Sequence, residues 1–160
     1  LDGSNNFYSN LPYYGTSVAI QKDGITVAGF VTNLISSLVT YRAFDEEIKQ
    51  ISLIDLKEIN IKEVKKTKIA IFERAYKYPE ICEKLNENNI KFRTLGAVAL
   101  SLSDTRNYEF VLYAGEIRIF DIAASMYICN DFFIHKTDKF LLICKNKDKF
   151  ELIKEFIKEK

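Results

Sequence analysis

Apolar and polar positions alternate along the first third of the chain, and this pattern predicts an antiparallel sheet. Three runs rich in β-branched residues are the predicted strands, at 14–21, 25–32 and 37–44, and Lys22-Asp23-Gly24 supplies a tight turn between the first two. Successive strands joined by short turns favour an antiparallel meander. Between 44 and 64 several isoleucines lie in a charged background, and the pattern does not choose between a strand and a short helix.

From residue 67 onward the pattern changes to an alternation of strands and helices. Predicted strands lie at 68–73, 90–93, 109–113 and 140–144, and predicted helices at 79–88, 95–103, 120–130 and 147–160. The fold class is therefore α+β passing into α/β, with antiparallel strands first and alternating strands and helices afterwards. We expect an antiparallel part over 1–66 and an α/β part over 67–160, packed as one compact unit.

Composition narrows the class of protein. A chain of 160 residues with 48% apolar residues can bury a sizeable core, and a net charge of +1 gives no electrostatic reason to expect a nucleic-acid partner. No apolar run approaches the roughly 18 residues of a membrane span, so no membrane partner is expected. Cys82, Cys129 and Cys144 lie far apart, which is typical of reduced thiols in a cytoplasmic protein. The Lys-rich stretch at 62–68 is predicted to be solvated, and His135 to lie in a turn or strand end without a catalytic role.

The first candidate chemistry lies at Asp2-Gly3-Ser4. A carboxylate can hold a hard cation, a glycine lets the backbone approach a ligand, and free N–H groups at a helix start bind phosphate. A short helix from about Ser4 to Ser9 would place those N–H groups near Asp2. The alternative is an ordinary turn with a helix cap, which is the more common use of this tripeptide.

The second candidate is Asp121, an acid that interrupts an apolar stretch at a predicted helix start. The alternative is a structural role, because an acid in the first turn of a helix is stabilised by the helix dipole. The small residues Ala123 and Ala124 that follow predict a helix packed closely against another element.

Together these segments resemble the inositol monophosphatase and archaeal fructose-1,6-bisphosphatase family. Its first motif is similar to Leu1-Asp2-Gly3-Ser4-Asn5-Asn6-Phe7, and its second, Trp-Asp-hydrophobic-Ala-Ala/Gly, to Phe120-Asp121-Ile122-Ala123-Ala124. A third segment, Arg93-Thr94-Leu95-Gly96-Ala97-Val98-Ala99-Leu100, resembles the stretch between them. The resemblance implies part of a layered αβαβα sandwich without its amino-terminal helices and first strands. The usual Trp is Phe120 here, and Asn130-Asp131-Phe132-Phe133 replaces the usual Glu-Ala-Gly-Gly turn.

The resemblance also implies a function, the Mg2+-dependent hydrolysis of a small sugar or polyol phosphate such as inositol monophosphate or fructose-1,6-bisphosphate. By its implication Asp2 and Asp121 hold about two or three Mg2+ ions, with Asp2 and Ser4 catalytic. Gly3 and Ser4 would contact phosphate, and Ser4 would also place the attacking water. The implied pocket further includes Gly96 and Ala97, and Glu116 and Arg118 could reach a substrate hydroxyl or a second phosphate.

Two alternatives stay open. The family's Asp-Pro pair and Glu-Glu loop would lie upstream of Leu1, and a chain that begins with Leu1 is interpreted as a piece of a longer one, with little activity of its own. The chain would then be a non-catalytic relative, or a subunit that needs the missing half. It could also be a plain α/β binding domain in which Asp2 and Asp121 are helix caps. We also expect a homodimer. Carboxylates of Asp2 and Asp121 on opposite faces would exclude the phosphatase.

Overall fold

A four-stranded antiparallel sheet forms the first part of the molecule. The computed structural model describes residues 1–61 and 68–158. The strands β1 (Gly15–Lys22), β2 (Ile25–Asn33), β3 (Leu38–Ala43) and β4 (Lys49–Ser52) are adjacent in chain order. The fourth strand lies in the segment that the sequence left undecided. The predicted boundary between 66 and 67, and most of the Lys-rich stretch at 62–68, lie outside the described residues.

A five-stranded mixed sheet forms the second part. Its strands are β5 (Ile69–Glu73), β6 (Lys91–Arg93), β7 (Val111–Ala114), β8 (Phe133–Lys136) and β9 (Phe140–Cys144), in the order β6-β5-β7-β9-β8. β5 runs parallel to β6 and β7, whereas β9 runs antiparallel to β7 and β8. The predicted fold class, antiparallel strands followed by alternating strands and helices, is confirmed.

In the part of the chain that the structure describes, five α-helices complete the layers: α1 (Ser4–Tyr8), α2 (Pro79–Glu87), α3 (Val98–Ser103), α4 (Ile119–Ile128) and α5 (Lys147–Ile157). α3 and α4 lie between the two sheets, where Leu100 and Ile122 share a buried cluster with Val31 of β2 and Val111 of β7. α2 and α5 cover the other face of the five-stranded sheet in a second cluster. The described chain therefore has the layer order sheet, helices, sheet, helices.

The packing of α4 on the first sheet depends on a glycine. A Cβ atom built on Gly29 of β2 would lie 2.4 Å from the carbonyl oxygen of Ala124. Strand and helix thus approach as closely as backbones allow, as the small residues Ala123 and Ala124 predicted. This close contact sets the distance between α4 and the antiparallel sheet, and with it the position of Asp121.

Two predictions about elements were wrong in detail. α3 begins at Val98 rather than near residue 95, because Gly96 has φ +85° and Ala97 is extended. The strand β8 was not predicted, because its pairing with β9 comes from tertiary contact rather than from local pattern. His135 lies next to the last residue of β8, in agreement with the predicted turn or strand end.

The cysteines are free thiols, and two of them, Cys129 and Cys144, are buried. Burial raises the pKa of Cys129 to about 12, so this thiol packs as an apolar group rather than reacting as a thiolate. In the described part of the chain, no helix is both long enough and apolar enough to cross a bilayer.

Candidate functional site

A cavity of about 260 Å3 opens where the first loop meets the ends of β5, α3 and α4. Three acidic side chains and two arginines lie on its wall, together with small and aromatic residues. The lining residues are Leu1, Asp2, Gly3, Ser4, Asn5, Glu73, Arg74, Gly96, Val98, Tyr113, Arg118 and Asp121. Residues separated by more than a hundred positions in the sequence therefore meet at one site.

Asp2 joins the first loop to the layer of helices between the sheets. Its backbone pairs with Gly15 at the start of β1, through N–H···O bonds of 2.8 and 2.9 Å. Its Oδ2 accepts hydrogen bonds from the backbone N–H of Ala99 (2.8 Å) and Leu100 (3.4 Å) at the start of α3. Burial raises the pKa of Asp2 above its ordinary 3.8; these two bonds oppose the rise, and the charges of Asp121 and Glu73 add to it.

The turn after Asp2 has no room for a larger residue than glycine. Gly3 has φ +77°, and a Cβ atom there would lie 2.8 Å from the Tyr13 carbonyl oxygen. α1 begins at the next residue, as predicted, with Gly3 as its N-cap. Asp2 therefore caps no helix of its own loop.

The Asn6 amide fastens this loop to the loop before α3. Its Nδ2 donates to the carbonyl oxygens of Tyr13 and Leu95, each at 2.7 Å. Gly96 leaves the space that this amide fills, since a Cβ atom there would lie 2.9 Å from Asn6 Oδ1. Gly96 thus shapes the cavity wall by allowing two loops to touch.

Asp121 lies in the first turn of α4 and forms an ion pair with Arg118. Its Oδ2 accepts from Arg118 Nε at 2.8 Å and from Nη2 at 2.7 Å. The Arg118 side chain is 55% exposed, so water and ions reach the pair. Exposed pairs of this kind contribute about 0–1 kcal/mol, which makes the Arg118 contact easy to exchange for another.

Glu73 is a buried acid of the site that the sequence did not single out. It ends β5 and is 3% exposed. Its Oε2 accepts from the Gly96 N–H at 2.9 Å, and its Oε1 accepts from the Ser101 hydroxyl at 2.5 Å. An acid closing the apolar run Lys68-Ile69-Ala70-Ile71-Phe72-Glu73 was the signal that could have identified it, because a buried strand rarely ends in a carboxylate without a partner.

Arg74 and Tyr113 are two further residues of the site that the sequence did not single out. The Arg74 guanidinium carbon lies 5.0 Å from the centroid of the Tyr113 ring. The Tyr113 hydroxyl donates to the Glu116 carbonyl oxygen at 2.8 Å, which fixes the loop before α4. Burial raises the pKa of Tyr113, so its hydroxyl stays protonated near neutral pH.

Six of the predicted site residues lie on the cavity wall: Asp2, Gly3, Ser4, Gly96, Arg118 and Asp121. Two others do not. Ala97 is buried behind Gly3: its Cβ lies 3.0 Å from the point that a Cβ atom added to Gly3 would occupy. Glu116 is exposed, and its described contact with the site is the backbone bond to Tyr113. Asp2 and Asp121 share one cavity rather than lying on opposite faces; the chemical roles of these residues stay predictions.

Comparison with known proteins identifies the architecture. SuhB of Mycobacterium tuberculosis superposes with a TM-score of 0.73 at 19% identity, over 98% of this chain and 70% of that one. A Pyrococcus horikoshii protein described as similar to inositol-1 monophosphatase gives 0.74 at 22% identity, over 95% and 65%. A Staphylococcus aureus inositol monophosphatase, solved with inositol monophosphate bound, gives 0.75 at 17% identity, over 99% and 68%. The chain has the inositol monophosphatase fold.

That identification is structural. No protein-family model matches the chain, and no curated protein matches it by sequence. The chain spans 65–70% of the length of the three structures to which it is similar. At identities of 17–22%, the superpositions on inositol monophosphatases and SuhB establish a common fold.

The carboxylates of this inositol monophosphatase fold suit a hard divalent cation. Asp2 and Asp121 each use Oδ2 for a protein contact, and no described donor binds Oδ1 of either. Mg2+ is commonly held by one or two carboxylates, with water and substrate phosphate completing its sphere. Among residues 1–61 and 68–158, no group of three or more His, Cys, Asp or Glu side chains is arranged as a metal cluster. The donor set therefore fits a cation that takes further ligands from elsewhere.

Proposed function

We propose that this chain is a member of the inositol monophosphatase family and forms part of a Mg2+-dependent active site that hydrolyses a small sugar or polyol phosphate. The observation that supports the proposal is the meeting of Asp2-Gly3-Ser4 with Asp121 at one cavity in this fold. Ligand pockets for larger molecules are typically about 300–1,000 Å3. A cavity of about 260 Å3 suits a small phosphorylated polyol.

Each residue on the wall has a role in this proposal. Asp2 and Asp121 would hold Mg2+ through their free oxygens, and the bound ion would lower the pKa of a water and stabilise the charge of the leaving oxygen. Gly3 and Ser4 would bind a phosphate oxygen through backbone N–H groups at the start of α1, which have no acceptor within the helix. The exposed Ser4 hydroxyl would orient the attacking water.

A plain binding domain is the second candidate, because both acids already have structural partners. Asp2 caps α3 through the Ala99 N–H, and Asp121 pairs with Arg118. If those contacts are the whole purpose of the two carboxylates, removing either charge alters stability and leaves cation binding unchanged.

Mn2+ titration followed by electron paramagnetic resonance tests the first proposal against the second. In the presence of inositol monophosphate we expect saturable Mn2+ binding that weakens about tenfold or more in Asp2→Asn and Asp121→Asn, equivalent to about 1.4 kcal/mol. Asp148→Asn, an exposed acid at the start of α5, is the matched control and should bind as the wild type does. Equal binding by all four proteins would rule out the metal roles of Asp2 and Asp121.

Catalysis calls for a separate measurement. The resemblance places further acidic ligands upstream of Leu1, so we expect little phosphate release from this chain and more from one extended upstream through those acids. Robust Mg2+-dependent turnover of inositol monophosphate by the chain itself would contradict that expectation. The homodimer also stays a prediction, which analytical ultracentrifugation would test.

A further inference from the structure

Arg74 differs from the other charged residues of the cavity in its partners. Asp121 is paired with Arg118, Asp2 accepts two backbone N–H groups, and Glu73 accepts a backbone N–H and a hydroxyl. Within the described chain, no carboxylate or carbonyl oxygen accepts a hydrogen bond from the Arg74 guanidinium. Arg74 is half-buried on the cavity wall, and a guanidinium carries five N–H donors and no acceptor, so it can bind an anion that enters the cavity.

The backbone around Arg74 is shaped to place this side chain in the cavity. Arg74 has φ 62° and ψ 29°, the left-handed region that a non-glycine residue adopts at a cost. It directly follows Glu73, so this turn directs two successive charged side chains at the site. Gly115 supplies the space, since a Cβ atom there would lie 2.6 Å from Arg74 Nη1.

Tyr113 holds the plane of the guanidinium. Its ring centroid lies 5.0 Å from the Arg74 guanidinium carbon, in a cation–π contact. A cation–π contact takes up no acceptor for the guanidinium N–H groups, which therefore stay available to a ligand. A guanidinium edge matches the two oxygens of a phosphate or carboxylate in a bidentate pair.

We infer that Arg74 is a specificity-determining residue that binds a second anionic group, phosphate or carboxylate, of the substrate. This inference rests on the proposed function, in which the carboxylates and bound Mg2+ hold the reacting phosphate. The second group would lie on the β5 side of the cavity, beside Tyr113 and Gly115. Arg118, the sequence-based candidate for this role, has the Asp121 carboxylate as a partner, whereas Arg74 has no hydrogen-bond acceptor among the described residues. The cavity therefore favours substrates that carry a second anionic group over polyol monophosphates that carry only the reacting phosphate.

Isothermal titration calorimetry with three ligands in the presence of Mg2+ tests the inference. The ligands are glucitol 6-phosphate, glucitol 1,6-bisphosphate and 6-phosphogluconate, which carry no second anion, a second phosphate and a carboxylate. We expect Arg74→Gln to weaken the second and third ligands about tenfold or more, as for loss of a charge-assisted hydrogen bond. Glucitol 6-phosphate should change less than about twofold, and Arg74→Lys should retain part of the selectivity because it keeps the charge but not the fork.

Lys77→Gln is the matched control, because it removes one positive charge from an exposed residue three positions further along and off the cavity wall. Equal weakening of all three ligands by Arg74→Gln would make Arg74 a structural residue or a contact of the reacting phosphate, and would overturn the inference. Unchanged binding of the doubly anionic ligands would overturn it as well. If wild type binds glucitol 6-phosphate and Asp121→Asn does not, the proposed function stands whatever Arg74 does. If wild type binds none of the ligands, both proposals fail.

Discussion

The two sheets of this molecule are built under different constraints. The five-stranded sheet is covered by helices on both faces, and every residue of β7 and β9 is buried. The antiparallel sheet is covered by α3 and α4 on one face, while Val18 and Ile20 of β1 remain about half exposed. Since apolar burial contributes about 25 cal/mol per Å2, stability concentrates in the five-stranded sheet.

The candidate site draws on both sheets. Glu73 ends a strand of the buried sheet and Arg74 follows it, whereas Asp2 pairs with the start of β1 in the half-covered sheet. Asp121 comes from α4, the helix between them. The fully covered sheet thus supplies the buried groups, and the less covered sheet supplies the loop that carries the proposed phosphate contacts. Changes in either sheet can be used to test this division.

The largest effect should come from the centre of the buried sheet. Leu112→Ala removes a fully buried side chain from β7 and should lower the free energy of unfolding by about 3 kcal/mol. Val18→Ala, at a position 54% exposed on the other sheet, should change it by less than about 0.5 kcal/mol. Urea unfolding followed by circular dichroism measures both. A comparable loss for Val18→Ala would show that the outer face of the antiparallel sheet is covered in solution.

The contact between β2 and α4 should give the next largest effect. Gly29→Ala forces the Ala124 backbone away and should cost about 2 kcal/mol, within the range for overpacked sites. Because α4 carries Asp121, the same change should also weaken Mn2+ binding at the cavity. Ile25→Ala, at the exposed end of the same strand, serves as the control. A normal melting curve and normal Mn2+ affinity in Gly29→Ala would mean that strand and helix are not held at this distance.

A smaller loss is expected within the site at Ser101. Ser101→Ala takes a donor from the buried Glu73 carboxylate and should lower the free energy of unfolding by about 1.5 kcal/mol. Ser103→Ala removes a similar buried hydroxyl that donates to the neutral Leu100 carbonyl, and should cost about 1 kcal/mol. Thermal unfolding of the two variants side by side gives the difference. If Ser103→Ala proved the more damaging, the Glu73 carboxylate would not depend on Ser101.

The smallest effects on stability are expected for substitutions of Asp2 and Asp121, and the two substitutions should differ in pH dependence. The folded-state pKa of Asp2 is raised above 3.8, so the folded protein binds the proton more tightly and stability falls as pH rises from 3.8 through the folded pKa. Asp2→Asn keeps an acceptor for the Ala99 N–H without the charge. It should therefore be more stable than wild type at pH 7, with the difference closing as pH falls below 3.8.

Asp121→Asn loses an exposed ion pair and should change stability by less than about 1 kcal/mol. Urea unfolding at pH 7 and at pH 3 measures both variants. An Asp2→Asn protein less stable than wild type at pH 7 would show that the charge of Asp2 serves the fold rather than a site. A functional acid, in contrast, is commonly kept at some cost to stability.

Sequence patterns predicted most of the fold because, in most elements, local residue preferences agree with the hydrophobic periodicity. The strands around Val31 and Leu142 and the amphipathic helix containing Phe150 combine propensity with periodicity. β8 escaped prediction because its pairing with β9 is a tertiary property. α3 was predicted too long because the left-handed turn at Gly96 depends on the distant Asn6 amide.

The site was predictable only where residues fall in motifs. Asp2, Ser4 and Asp121 are found from the family resemblance, and the structure brings them to one cavity. Glu73 and Arg74 belong to none of the three family-like motifs, and their burial and partners come from β5 lying between β6 and β7. Charged residues next to an apolar strand therefore deserve inspection wherever that strand is expected at the centre of a sheet.

The Asn6 amide has a consequence for the order of folding. It closes a loop between positions 6 and 95, a separation of 89 residues. Contacts so distant along the chain are expected to form after local strands and turns, because the entropic cost of closing a long loop must be overcome before such a contact adds stability. We expect Asn6→Ala to speed unfolding and leave the refolding rate nearly unchanged in stopped-flow experiments. The cavity would then be the last part of the molecule to assemble and the first to open.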